Sequence, residues 1–170
     1  MVKISKMKLE IESVANFLTH LINLAEKDKF EIDAFKLHNF NINLQDILTK
    51  KYSDAWSYGN PWVGSDFRAL RINENLDPRI VEASLVSDIP IEEIQSRLPS
   101  DLIIWIDPGL VKCRIVDFYW FDLYDIATDS KPWTSTPVTM KKQYEGNFDE
   151  VFRKSCCNCD DDNNCIHDCI

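Results

Sequence analysis

The chain has 170 residues, 45% of them apolar and 11% aromatic, with a formal net charge of -9 and a pI near 4.8. That length suits one main folded domain plus a tail. The acidic balance speaks against a phosphate-backbone binder, which needs a basic face, so no direct nucleic-acid contact is expected.

Met1 to Lys8 carries three lysines and no uncharged apolar run follows, so no signal peptide is expected. The longest apolar stretches fall well short of a membrane span. Five of the six cysteines lie in the last fifteen residues, a distribution that fits a reducing compartment better than a secreted disulfide scaffold.

From Met7 the apolar residues Ile11, Val14, Leu18, Leu21 and Ala25 recur at spacings of three and four, the stripe of an amphipathic helix. Asp33 then caps a second helix whose buried side includes Phe40, Leu44, Ile47, Leu48 and Tyr52, with Asn39, Asn41 and Asn43 weakening its first half. A short polar link makes the two helices antiparallel neighbours sharing a core. His20 and His38 stand alone on these helices and read as ordinary positions rather than ligands.

Gly59, Pro61 and Gly64 mark a loop, which its aromatics are expected to pin to the helices. A strand over Phe67 to Ile72 follows, with Arg68, Leu70 and Ile72 on one face. Asp77-Pro78 opens a helix through about Val86, and Pro90 starts another with Ile91, Ile94 and Leu98 on its apolar side. Leu102 to Ile106 reads as a buried strand, and Asp107-Pro108-Gly109 fits a type II turn. In the returning strand Val111, Cys113 and Ile115 alternate with Lys112 and Arg114. Alternation places Trp105 and Asp107 side by side on one face, and two readings stay open there. Either the indole is core and the acid caps its turn, or both face a partner. Phe118 to Tyr124 is a further aromatic strand, and from Ile126 onward Thr, Ser, Pro and charges take over.

Catalytic signatures are lacking: no nucleophile with a base, no Gly-rich phosphate loop and no His-Glu-x-x-His helix. Asp66, Asp107 and Asp117 make a poor case for a metal site in so acid-rich a chain. Cys159, Cys165, His167 and Cys169 supply enough donors for zinc, but their spacing matches no standard knuckle, so an incidental or redox-sensitive tail is the simpler reading. The expectation is a non-enzyme with no cofactor and no metal.

Two stretches carry a resemblance. Leu98 to Pro108, Leu-Pro-Ser-Asp-Leu-Ile-Ile-Trp-Ile-Asp-Pro, resembles the second signature box of the BTG/Tob antiproliferative family. Leu44 to Ile72 is similar to its first box, with a Lys-Tyr helix end, a Trp, a Pro and then Gly-Ser-x-aromatic-Arg. Met7 to Ile11 resembles a Tob-type start. The resemblance implies an α+β fold, amphipathic helices packed on a small, mainly antiparallel sheet. The implied layout is an extension over 1–6, a BTG/Tob-like domain over 7–126 and a mostly disordered, acidic, Cys-rich tail over 127–170.

It further implies a non-catalytic adaptor, cytoplasmic and nuclear, that grips the catalytic subunit of the CCR-NOT deadenylase and promotes poly(A) shortening with an antiproliferative outcome. Phe67, Trp105 and Asp107 would be the partner contacts, with Pro108 shaping the turn beneath them. Poly(A)-binding protein, RNA-binding proteins or transcription factors are further possible partners. Gly109 departs from relatives, which place Phe or Tyr there, and Trp62-Val63 replaces their usual Lys before Gly64. A self-assembling RNA-regulatory scaffold and a metal-dependent enzyme are the alternatives.

Overall fold

The computed structural model describes residues 7–25, 32–115 and 119–128. The expected N-terminal extension, the tail beyond Thr128 with its cysteines, and Asp117 lie outside them. Helix α1 spans Lys8–Leu24 and buries Ile11, Val14, Leu18 and Leu21 of the stripe read from the sequence, while Ala25 is the residue that ends the helix and is only partly buried. Helix α2 spans Ala34–Tyr52. It is capped by Asp33, whose carboxylate accepts from the Phe35 N–H, and it buries Phe40, Leu44, Ile47, Leu48 and Tyr52. Two of the Asn residues that cost α2 helix propensity are used laterally. Asn41 donates to Asn16 and Thr19 of α1, both at 3.1 Å, and Asn43 donates to Ser87 at 3.0 Å.

Four strands follow in antiparallel order β1-β2-β3-β4: β1 Leu70–Ile72, β2 Leu102–Asp107, β3 Leu110–Ile115 and β4 Tyr119–Asp125. Between β1 and β2 lie α4, Pro78–Val86, capped by Asp77 as expected, and α5, Ile91–Arg97. A one-turn helix α3, Ser65–Arg68, precedes β1. Leu102, Ile104 and Ile106 of β2, Val111, Cys113 and Ile115 of β3, and Phe121 and Leu123 of β4 form one core with α1 and α2. The α+β expectation holds, and the sheet is wholly antiparallel.

On the other face Ile103, Trp105, Lys112, Arg114, Trp120 and Asp122 all stay at least partly exposed. A bulge between Val111 and Lys112 pairs Val111 with Tyr124 but Lys112 with Asp122. The extra residue lets Leu123 and Tyr124, neighbours in sequence, both turn inward, which strict alternation forbids.

One expected element is corrected. The strand over Phe67 to Ile72 begins only at Leu70, because Phe67 and Arg68 belong to the helical turn α3. Gly64, at φ +79°, swings the chain into that turn, and contacts made by Arg68 far along the sequence hold it there. Local propensity carries no trace of those contacts.

Ile104 is fully buried in the second of the four strands. Ile104→Ala is expected to cost about 2–5 kcal/mol, read as a lowered urea midpoint at unchanged slope. A loss under about 1 kcal/mol would contradict a single close-packed core.

Candidate functional site

The two boxes meet through Arg68. Its side chain is fully buried, yet every one of its N–H groups finds an oxygen. Nε donates to Ile106 O at 2.9 Å, Nη1 to Ala55 O at 2.8 Å and Val63 O at 2.9 Å, and Nη2 to Pro61 O at 2.5 Å and Asp107 Oδ1 at 2.7 Å. One guanidinium thus fastens the loop over residues 55–63 to the end of β2. The aromatics were expected to pin this loop, but only Trp56 does so by burial, with the Arg68 guanidinium 5.6 Å from its ring centre. Trp62 and Val63 are exposed. Gly64 is needed here twice, for its positive φ and because a Cβ would sit 3.2 Å from Arg68 Nη1.

A second clamp sits behind α3. Phe67, Arg68 and Ala69 offer three successive carbonyls, which accept from Arg79 Nη1 at 2.9 Å, Tyr52 Oη at 3.1 Å and Arg79 Nη2 at 2.8 Å. Asp77 fixes Arg79 with both carboxylate oxygens at 2.7 Å, and Arg79 also donates to Tyr52 Oη. The Phe67 ring rests edge-on against Tyr52 at 6.0 Å and is 55% exposed. Nothing in the sequence around Arg79 signalled this role, since a basic residue in a first helical turn ordinarily faces water.

The β2–β3 turn is held from below. Gly109 has φ +83°, as position three of a type II turn requires. Its N–H donates to Glu10 Oε1 at 2.9 Å, and the same oxygen accepts from Tyr58 Oη at 2.8 Å. A Cβ at Gly109 would meet Ile126 Cγ2 at 2.9 Å, so Ile126 fills the space beside the turn.

Of the predicted contact residues, Phe67 and Trp105 are available and Asp107 is not. Trp105 is half-buried on the open sheet face, its indole stacked on that of Trp120 with centres 5.0 Å apart and planes 17° from parallel. Asp107 was expected beside it and facing outward, but it is only 4% exposed. Its two oxygens are taken by Arg68 and by the Ser65 hydroxyl at 2.9 Å. At the end of the strand the pull of a buried guanidinium overrides alternation, and the acid turns inward without capping its own turn. Pro108 is buried in the turn. Asp66 is exposed beside Arg71, so it does not converge on Asp107 as a metal site needs. Among the described residues no three His, Cys, Asp or Glu are grouped to hold a metal, and no helix is long and apolar enough to cross a membrane.

Residues 7–119 match the family model described as "BTG family". The chain belongs to the BTG family. It is 36% identical to human Tob1 over 110 residues, which cover 64% of this chain and 30% of Tob1. It is 33% identical to rat BTG2 over 113 residues, which cover 66% of this chain and 69% of BTG2. The chain therefore spans less than a third of Tob1. The C. elegans FOG-3 BTG/Tob domain superposes with a TM-score of 0.58 at 20% identity, covering 71% of this chain and 93% of that domain. Membership in this family supports a regulatory, non-enzymatic role.

In this BTG domain the ion pair that joins the boxes is structural, and removing one member strands the other in the interior. Asp107→Ala is expected to cost about 3–5 kcal/mol by chemical denaturation. Asp107→Asn should cost less, because its amide oxygen still accepts. Unchanged stability in Asp107→Ala would return the acid to the surface.

Burial raises the Tyr52 hydroxyl above the ordinary tyrosine range, with Asp77 adding to the shift and Arg79 opposing it. Burial and then the Glu10 carboxylate raise that of Tyr58. The folded state therefore keeps protons that the unfolded chain releases near pH ~10, and stability falls as pH rises beyond that point. Absorbance titration at high pH, compared with Tyr52→Phe and Tyr58→Phe, should show these two hydroxyls ionising above the ordinary tyrosine range or only as the chain unfolds.

Proposed function

We propose that this BTG-family chain is a non-catalytic adaptor that docks on the catalytic subunit of the CCR-NOT deadenylase and so brings poly(A) shortening to selected messages. The observation that carries this reading is an aromatic pair, one ring exposed and one half-buried, on rigid supports. Trp105 stands on the open face of the sheet, and Phe67 stands on a turn bolted to the same strand through Arg68 and Asp107. Trp and Phe held in one rotamer lose little entropy on binding, and a central Trp is the composition of an interface hot spot. The two boxes that resemble the family's docking surface are the segments these two clamps bring together.

In this reading Phe67 and Trp105 touch the partner, while Asp107 and Pro108 act by shaping the edge on which they stand. Hydrolysis belongs to the partner nuclease, and the adaptor works in cytoplasm and nucleus with a brake on proliferation as the downstream result. Selection of messages falls to a further protein, such as an RNA-binding protein, poly(A)-binding protein or a transcription factor.

The test is affinity capture of the recombinant deadenylase subunit by the full chain. Trp105→Ala and Phe67→Ala should each lose about 2 kcal/mol of binding or more while the thermal midpoint moves by only a few degrees. Capture that is equal for wild type and both variants, or absent for wild type, would sink this reading.

A further inference from the structure

We propose that Trp120 is part of the same docking surface, as the residue that positions the Trp105 indole and extends the contact from β2 across to β4. This inference rests on the docking reading given above. Trp120 belongs to an aromatic run whose sequence indicates a strand and nothing more.

Register explains how the two rings meet. Trp105 pairs with Lys112 of β3, Arg114 of β3 pairs with Trp120, and Lys112 pairs with Asp122. Trp105 and Trp120 therefore lie on outer strands of a three-strand set, on one face and one diagonal apart. The two indoles meet across β3 and stack with centres 5.0 Å apart. Stacking covers one face of each ring. Trp105 is left half-buried, and Trp120 remains 52% exposed.

An indole on an open sheet face otherwise samples several rotamers, and a binding partner must freeze one of them. A stacked neighbour freezes it beforehand. The exposed part of Trp120 then continues the apolar ground beyond the ring it supports.

The charged rim is balanced. Lys112 faces Asp122 at 3.9 Å and Arg114 faces Asp101 at 3.3 Å, both pairs partly exposed. A face with paired charges and a central aromatic pair suits a protein surface of mixed charge. A phosphate backbone would call for uncompensated cations.

The full chain carrying Trp120→Thr or Trp120→Phe is measured for affinity to the recombinant deadenylase subunit and for the exciton couplet that stacked indoles give in circular dichroism. Threonine is a strand former at an exposed position, so the fold is retained. Trp120→Thr should lose the couplet and bind about tenfold more weakly, while Trp120→Phe, which keeps a stacking ring, should stay within about threefold of wild type. If Trp120→Thr loses the couplet but binds as wild type while Trp105→Ala does not bind, Trp120 is a bystander and the docking reading survives without it. A couplet undiminished in Trp120→Thr would mean that the pair is not stacked in solution. Failure of the wild-type chain to bind would remove the docking reading and this inference together.

Discussion

A single buried guanidinium organises this domain. Desolvating Arg68 costs several kcal/mol unless each of its donors is met, and here four backbone carbonyls and one carboxylate meet them. Three of the carbonyls, those of Ala55, Pro61 and Val63, belong to the connection between α2 and α3, so the same contacts that satisfy the cation give that connection its shape. Arg68 also joins segments that the chain keeps 38 and 39 residues apart, at Ile106 and Asp107. Lysine would not replace it, because a point charge with three donors lacks the planar fork that reaches Ile106 on one side and Ala55 on the other.

The surface is a consequence of that interior. Phe67 is exposed because the residue after it points inward and the three carbonyls around it are gripped by Tyr52 and Arg79. Trp105 lies on the open face of the sheet, half-buried, because Ile104 and Ile106, its neighbours on β2, belong to the core. The acid between the two boxes is buried and holds them together. Glu10 plays a related part below the turn, tying α1 to Gly109 and Tyr58 through one oxygen. Aromatic rings displayed on so many fixed supports are preorganised, a property that favours affinity more than added area does.

Helices and strands were legible in the sequence wherever apolar periodicity and capping spoke together. The five buried positions of α2, the caps Asp33 and Asp77 and the alternation in β3 follow from local rules that the tertiary structure leaves in force. The sequence was silent where a side chain answered to something distant. Phe67 and Arg68 read as strand because the pull of Ile106 and Asp107 on Arg68 is invisible to a short window, and Asp107 read as outward for the same reason. The contacts of Arg79 and the stacking of Trp120 on Trp105 were missed because they depend on register and on what stands opposite. The bulge at Val111 and Lys112 sets that register, and no glycine announced it.

The central claim is that the Trp105 and Trp120 pair is covered by the deadenylase subunit while the interior stays as it is. Fluorine NMR of the chain labelled with 5-fluorotryptophan tests it most directly, since the five tryptophans give separate signals assignable one at a time by substitution with Phe. On titration with the partner, the Trp105 and Trp120 signals should shift or broaden and that of buried Trp56 should hold its position. A complex that forms with the Trp105 signal unmoved would contradict the account.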